Sequence, residues 1–153
     1  MHGGQLLHVG TACIRPVGQA QQRTHLLQRE AEVAGAAARS DDQPAAIHAR
    51  TEAPFPFGSA EFRRLASSLD SGDIVMSHVS VNFDRSGLQR DLNVVYPINR
   101  LRVLAAEAAI GSVADTHYAV LGATDPAAMQ ITADQLMGQL QQDRVDAVLL
   151  VPV

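Results

Sequence analysis

The chain has 153 residues, enough for about one domain, and a formal net charge of −4 that argues against a nucleic-acid-binding surface. Every basic residue is arginine, which excludes phosphate loops and Schiff bases that require the chain's own lysine. Cys13 is the only cysteine, so an intrachain disulfide, a CxxC redox pair and a four-cysteine metal site are also excluded.

The hydropathy pattern and the histidine spacing narrow the class further. No run of about 18 apolar residues occurs, and the first residues lack the basic and then apolar pattern of a secretory signal. We therefore expect a cytoplasmic protein that makes no contact with a membrane. No two histidines have metal-ligand spacing and the HExxH motif is absent, so we expect no metal site.

The composition changes near residue 54. All six aromatic residues come after it, whereas four of the six histidines lie before it. Leu6–Cys13 has the pattern of one short strand, but residues 14–54 are rich in Gln, Ala and Arg. Because such a segment offers little core to offset chain entropy, we predict that it packs weakly, is poorly ordered, or results from a wrong start or a shifted frame. We assign residues 1–54 to this doubtful segment and residues 55–153 to the folded domain.

The first half of the folded domain predicts a helix, a strand and a loop. Ser59–Leu69 is predicted to form a short helix, because its apolar residues recur with helical spacing. Asp73–Val79 has the character of a buried strand. Ser80–Tyr96 is largely polar and is predicted to be a long loop.

The second half predicts two helices and two strands. A helix is expected from Pro97 to about Ile110, and a strand over His117–Leu121. A helix should then run from Pro126 to about Gln142, after a cap at Thr124 or Asp125. The core face of this helix is predicted to consist of Met129, Ala133, Leu136, Met137 and Leu140. Asp146–Val151 follows as a continuous apolar strand.

This order of elements predicts an α/β fold. A continuous apolar run is typical of a parallel strand that is covered on both faces, and strand, helix, strand in about 35 residues is a βαβ unit. We therefore expect a mainly parallel sheet with flanking helices, Rossmann-like or doubly wound, and incomplete at the C-terminus. In such sheets the working residues lie just past the carboxyl ends of strands, so a site residue is expected directly after the final strand.

The candidate site residues inside the chain each have a structural alternative. His78 and His117 lie in predicted strands, where either one could act as an acid or base or could be a hydrogen-bonded packing residue. Cys13 could be a nucleophile or a small buried residue. The Gly122–Asp125 turn precedes a helix N-terminus, which can hold an anion, but it lacks the GxGxxG spacing of a dinucleotide site.

The predicted loop Ser80–Tyr96 combines arginines with carboxylates and amides. These residues are Asn82, Asp84, Arg85, Arg90, Asp91 and Asn93. An arginine here could hold a carboxylate substrate by a bidentate contact. The alternative is a solvated loop with surface ion pairs that contribute little free energy.

Several motifs in one colinear run resemble a specific family. They are SHVSVNFD at Ser77–Asp84, DLNVVYPINRL at Asp91–Leu101, IGSVAD at Ile110–Asp115, HYAVLGATDP at His117–Pro126 and VDAVLLVPV at Val145–Val153. Together they resemble the selenoprotein B subunit of glycine/sarcosine/betaine reductase and the related D-proline reductase subunit. Residues 55–153 would then be the N-terminal part of the α/β reductase domain.

The resemblance implies reductive cleavage of the C–N bond of a glycine, sarcosine, betaine or D-proline type substrate. It implies a pyruvoyl group on a partner subunit, and a dithiol or a thioredoxin-like protein as electron donor. Five residues match motif positions of the family and are expected to bind substrate: His78, Asp84, Arg85, Asn93 and His117. No residue of the chain itself is expected to be the catalytic redox group.

The family places selenocysteine, encoded by UGA, directly after Val-Pro-Val. Because the chain ends on Val151-Pro152-Val153, we expect that the conceptual translation of the gene treated this UGA codon as a stop. The chain alone would then be inactive. The alternative is a non-catalytic α/β ligand-binding or assembly module that truly ends at Val153. A TGA codon followed by an open frame for Pro-Val-Cys would favour the first reading, and a different stop codon the second.

Overall fold

The computed structural model describes residues 9–15, 45–78, 84–121 and 125–151. Its strands are β1 (Val9–Arg15), β2 (Ala45–Ala49), β3 (Phe62–Ala66), β4 (Ile74–His78), β5 (Ser112–Val113), β6 (Thr116–Val120) and β7 (Ala147–Val151). Its helices are α1 (Ser86–Arg90), α2 (Ile98–Ala106) and α3 (Pro126–Gln142). Single 3-10 turns occur at Ser71–Asp73 and Leu92–Val94. No helix within these ranges is long and apolar enough to cross a membrane.

The strands form two antiparallel sheets. The larger sheet has the order β3, β6, β1, with β5 also pairing with β1 and with β7 on the other side of β1. The smaller sheet consists of β2 and β4. All strand pairs that the structure describes are antiparallel, so the prediction of a mainly parallel, Rossmann-like sheet is wrong.

The insertion of β1 explains this error. The strand, helix and strand predicted near the C-terminus are present as β6, α3 and β7. However, β6 and β7 do not pair with each other, because β1 lies between them and is antiparallel to both. The predicted paired βαβ unit is therefore wrong, although β6 and β7 run in the same direction. The local pattern around α3 carries no information about a strand that comes from the start of the chain.

Strand β7 also differs from the buried central strand that was predicted. Val148 and Leu150 are 40% and 57% exposed, and Val151 is the buried residue of the strand. One edge of β7 pairs with β1, and no strand of the described ranges pairs with its other edge. Its continuous apolar character thus reflects partial cover, with Leu149 packed near α2 residues Leu101 and Leu104.

The segment predicted as a helix at Ser59–Leu69 instead contains strand β3, so that prediction is wrong. Phe62 pairs with Val120 and Leu65 pairs with His117 in the antiparallel register of β3 and β6. Phe62, Leu65 and Leu69 also fit a helical spacing. Pairing with the distant strand β6 and burial of Leu65 nevertheless decide the conformation.

The weak packing predicted for residues 14–54 is wrong for their last part. Every residue of β2 is buried, and Ala45–Ala49 pairs along its length with Ile74–His78. Ile47 and Ile74 join the largest cluster of the core, which also includes Leu65 and Tyr96. Residues 16–44 lie outside the described residues, and the domain boundary near residue 54 stays a prediction.

The two longer helices confirm their predicted positions. Helix α3 begins after Asp125, whose carboxylate accepts a hydrogen bond from the Ala127 N–H at 3.0 Å, and it ends at Gln142. Leu140 is buried against Tyr118, but Ala133 is exposed and Met137 is 56% exposed, so the placement of these two residues on the core face was wrong. Helix α2 ends at Ala106, four residues earlier than predicted.

The predicted loop Ser80–Tyr96 is partly helical. Helix α1 and the 3-10 turn at Leu92–Val94 follow residue 84, while residues 79–83 lie outside the described ranges. Leu88 and Leu92 pack against the main core. This packing explains why a largely polar stretch forms short helices.

Candidate functional site

A cleft of about 320 Å³ lies beside the β2–β4 sheet. It is lined by His48, Pro54, Phe55, Val75, Met76, Ser77, His78, Arg85 and Leu121. This volume is at the small end of the range for small-molecule sites, which is roughly 300–1,000 Å³. The wall is largely apolar, and its polar groups are two histidines, one serine and one arginine.

The register of the small sheet sorts these residues into two faces. His48 pairs with Val75 and Ser77 pairs with Ala46, so His48, Val75 and Ser77 share one face. Met76 and His78 belong to the other face of the same sheet. The Phe55 N–H donates a hydrogen bond to Ser77 Oγ at 3.0 Å, which fixes the chain after β2 over that face. Ala46, Phe55 and Leu121 form a small buried cluster there.

His48 is held by its own neighbour. The side chain is 3% exposed, and Nδ1 lies 2.9 Å from the carbonyl oxygen of Ala49. Because a carbonyl oxygen only accepts hydrogen bonds, Nδ1 carries a proton, and in the neutral form of the ring Nε2 is the acceptor nitrogen. The ring meets Phe55 edge to face, with 6.1 Å between the ring centroids.

Phe55 is fixed from a third side by Arg63. The guanidinium carbon of Arg63 lies 4.6 Å from the centroid of the Phe55 ring, which is a cation–π contact. Arg63 also forms an ion pair with Glu61 at 2.8 Å. The aromatic wall of the cleft is therefore held by contacts with β3, Ser77 and His48.

Arg85 supplies a positive charge at the cleft. Among the described residues no carboxylate lies within 4 Å of its guanidinium. The neighbouring Asp84 is instead engaged by Ser86, whose backbone N–H and side-chain hydroxyl donate to its carboxylate at 2.8 and 3.0 Å. These bonds, with the charge of Arg90, hold the pKa of Asp84 below its usual value of 3.8. Arg85 is thus available to an anionic ligand.

The structure brings together two of the five residues predicted to bind substrate. His78 and Arg85 line the cleft, and Asp84 is adjacent to Arg85 in the chain but does not line it. Asn93 and His117 belong to other parts of the fold. The predicted acid or base role of His78 and the carboxylate-binding role of Arg85 stay predictions.

His117 and Asn93 have structural surroundings. His117 is 0% exposed, its Nε2 donates to the Ala114 carbonyl at 3.1 Å, and its ring meets Tyr96 at 5.3 Å between centroids. The Asn93 side chain accepts from the Asn99 N–H and donates to Asp91, which links the 3-10 turn to the start of α2. The side chain and the backbone N–H of Asn93 both donate hydrogen bonds to the Asp91 carboxylate and lower its pKa, and the side chain has the larger effect.

Sequence reasoning missed the contributions of His48, Phe55 and Ser77. The signal was the short apolar run Ala45–Ala49 around His48, which reads as a strand once it is separated from the Gln- and Arg-rich residues before it. Cys13 pairs through its backbone with Val148 in the large sheet. Within the described ranges, no group of three or more His, Cys, Asp or Glu side chains is placed to hold a metal ion.

The cleft lies at one particular end of the large sheet. Leu121, which lines it, directly follows the C-terminal end of β6. β7 runs in the same direction as β6, since both are antiparallel to β1. The C-terminal ends of β6 and β7 are therefore at the same end of the sheet as the cleft.

The comparisons with known proteins agree with the motifs. A model of the glycine/sarcosine/betaine reductase selenoprotein B family matches residues 56–153, more than half of the chain. The D-proline reductase subunit gamma of Acetoanaerobium sticklandii is 28% identical over 109 residues, which cover 69% of this chain and 44% of that protein. No solved structure matches the chain.

The chain belongs to the glycine/sarcosine/betaine reductase selenoprotein B family. This confirms the family predicted from the motifs between Ser77 and Val153. The chain spans less than half the length of the D-proline reductase subunit that it matches.

Proposed function

We propose that the chain is part of a selenocysteine-dependent reductase subunit. The reaction is reductive cleavage of the C–N bond of a glycine, sarcosine, betaine or D-proline type substrate, in the cytoplasm. A dithiol or thioredoxin-like donor supplies two electrons and two protons, the C–N bond at the α-carbon breaks, and this carbon gains a hydrogen. Ammonia or an amine leaves from glycine, sarcosine or betaine, whereas the D-proline ring opens and keeps its nitrogen. The family match and the name of the similar D-proline reductase subunit support this class of reaction.

Within this reaction the described residues bind the substrate. All four substrates carry a carboxylate. Arg85 lines a largely apolar cleft, and no carboxylate of the described residues lies within 4 Å of its guanidinium. A guanidinium can bind a carboxylate through two parallel hydrogen bonds. This position of Arg85 is the observation on which the proposed binding role depends, and His78 also lines the cleft.

The redox group is proposed to act at the same end of the sheet. The resemblance puts selenocysteine directly after Val153, and the C-terminal end of β7 lies at the end of the sheet that carries Leu121 and the cleft. When present, selenocysteine supplies a nucleophile and is regenerated by the dithiol. A partner subunit with a pyruvoyl group would complete the complex. Asp84 lies beside Arg85 in the chain, and no substrate contact is proposed for Asn93 or His117, which lie in other parts of the fold.

The test uses the whole reading frame of the locus, with any UGA codon recoded as selenocysteine. The purified product is mixed with its partner subunit, dithiothreitol and each of the four substrates. The reduced product is then quantified, which is acetate with ammonia or an amine for the first three substrates and the ring-opened amino acid for D-proline. Reduction of one substrate is expected. No reduction of any substrate by a folded, selenium-containing complex would contradict the proposed function, and would favour a non-catalytic ligand-binding or assembly module.

A further inference from the structure

One wall of the cleft comes from outside the part of the chain that the family matches. The match begins at residue 56, whereas His48 lies on β2 and Phe55 follows it. Both side chains are buried and both line the cleft. Residues that precede the family-model match therefore contribute to the wall of the cleft and are in a position to affect which ligand it accepts.

The hydrogen bond from His48 to Ala49 determines which atom the imidazole offers to a ligand. With Nδ1 donating to the backbone carbonyl at 2.9 Å, the neutral ring retains Nε2 as a hydrogen-bond acceptor. The Phe55 ring, 79° from the plane of His48, limits rotation of the imidazole. Phe55 is itself held by Ser77 and Arg63. The acceptor is thus part of a fixed arrangement.

The cleft consequently combines a cationic group and a neutral acceptor in a small volume. Arg85 suits a carboxylate, and the remaining lining is mostly apolar in a cleft of about 320 Å³. A ligand that satisfies both groups has a carboxylate and, close to it, an N–H or O–H donor. A plain carboxylate would leave the acceptor of a buried histidine without its hydrogen bond, which has a cost in free energy.

We infer that His48 is a specificity-determining residue whose Nε2 accepts a hydrogen bond from a donor on the α-carbon of a small carboxylate ligand. The ligand class is an α-amino or α-hydroxy carboxylate rather than a plain one. This inference rests on the proposed function for the carboxylate site at Arg85, and it adds the requirement for a donor.

The ligand side of the test needs no substitution. The dissociation constants of glycolate, methoxyacetate and acetate for the 153-residue chain are measured by ligand-detected NMR. Glycolate is expected to bind about fivefold more tightly than the other two, the difference typical of one hydrogen bond. Methoxyacetate keeps the oxygen of glycolate but lacks its donor. Equal binding of the three acids would overturn the inference.

The protein side compares His48→Phe with His48→Gln. Phenylalanine keeps a ring against Phe55 but removes the acceptor, so the preference for glycolate should disappear. Glutamine places an amide oxygen near the position of Nε2 and should retain it. Retention of the preference by His48→Phe would overturn the inference. Loss of the preference in both variants would also overturn it, because His48 would then act only through packing.

The Arg85→Gln variant distinguishes failure of the role inferred for His48 from failure of the proposed carboxylate site. If it weakens binding of acetate and glycolate alike while the donor preference is absent, the carboxylate site stands and only the role of His48 is wrong. If none of the three acids binds the unmodified chain, the carboxylate site of the proposed function is wrong, and the role of His48 is wrong with it.

Discussion

Ala119 of β6 and Val151 of β7 lie in one row of the large sheet, because Gly10 of β1 pairs with both. Two strand spacings, about 9.6 Å, separate their backbones. Leu121 continues from β6 into the cleft wall. The C-terminal ends of β6 and β7 therefore lie two strands apart, at the end of the sheet that carries the cleft.

The 153-residue chain by itself is expected to catalyse no substrate-dependent reduction. The role proposed for its described cleft residues is ligand binding, whereas the redox group implied by the family would follow Val153. Incubation with dithiothreitol and each substrate, followed by chromatography of the products, checks this. Turnover above the rate without protein would show that the chain contains a redox group of its own.

Arg85→Gln is expected to weaken carboxylate binding by roughly ten- to a hundredfold, because a hydrogen bond to a charged partner contributes about 1.5–3 kcal/mol. In the complete reductase the same change should raise KM more than it lowers kcat. Arg90→Gln is the matched control, since Arg90 is the last residue of the short helix that Arg85 precedes but does not line the cleft. Equal effects of the two substitutions would argue against a carboxylate site at Arg85.

Leu150→Lys is expected to reduce self-association of the chain. Val148 and Leu150 are exposed on β7, and the other edge of this strand has no partner within the described ranges. Apolar edge strands of this kind promote association, and a lysine opposes it. Sedimentation velocity at several concentrations measures the change.

Leu149→Lys provides the contrast to Leu150→Lys. Leu149 packs beside Leu101 and Leu104 of α2, so its replacement should lower the melting temperature. If Leu150→Lys destabilises the fold as strongly as Leu149→Lys does, then the side chain of Leu150 is not on an open surface.

The pKa of the Asp84 carboxyl should lie below 3.8, because the backbone N–H and hydroxyl of Ser86 stabilise its charged form. A lowered pKa in the folded state contributes stability above the pKa of the unfolded chain, and this contribution is lost as pH falls through the folded value. Carbon-detected NMR titration measures it. Ser86→Ala should raise the pKa of Asp84 and leave that of Asp91, which Asn93 stabilises, unchanged.

Tyr118→Phe is expected to lower the free energy of unfolding by about 0.5–1.5 kcal/mol. The Tyr118 hydroxyl donates to Asp143 Oδ2 at 3.0 Å and so connects β6 to the end of α3. Urea denaturation measures the change. Phe62→Leu removes the edge-to-face contact with Tyr118 but leaves this hydrogen bond in place. Adding Tyr118→Phe to the Phe62→Leu variant should therefore still lower the free energy of unfolding. A substitution without effect would show that the hydroxyl is equally well satisfied by water.

The sequence by itself determined the helices and strands whose start, end and apolar pattern are encoded by neighbouring residues. Asp125 and Pro126 mark the start of α3, and the apolar runs on either side of this helix are strands β6 and β7. The colinear motifs between Ser77 and Val153 were sufficient to identify the family. Within the cleft, the sequence indicated His78 and Arg85, because they lie in or beside those motifs.

Only the tertiary structure decided which strands are neighbours and which residues share the cleft. β1 lies between β6 and β7 although more than a hundred residues separate it from β7, and no periodicity within either strand encodes that pairing. The same holds for β3, whose apolar spacing also fits a helix, and for His48, which reaches the cleft through the pairing of β2 with β4. The physical reason is that spacing along the chain specifies which faces are apolar, whereas strand order depends on how distant apolar faces are buried together.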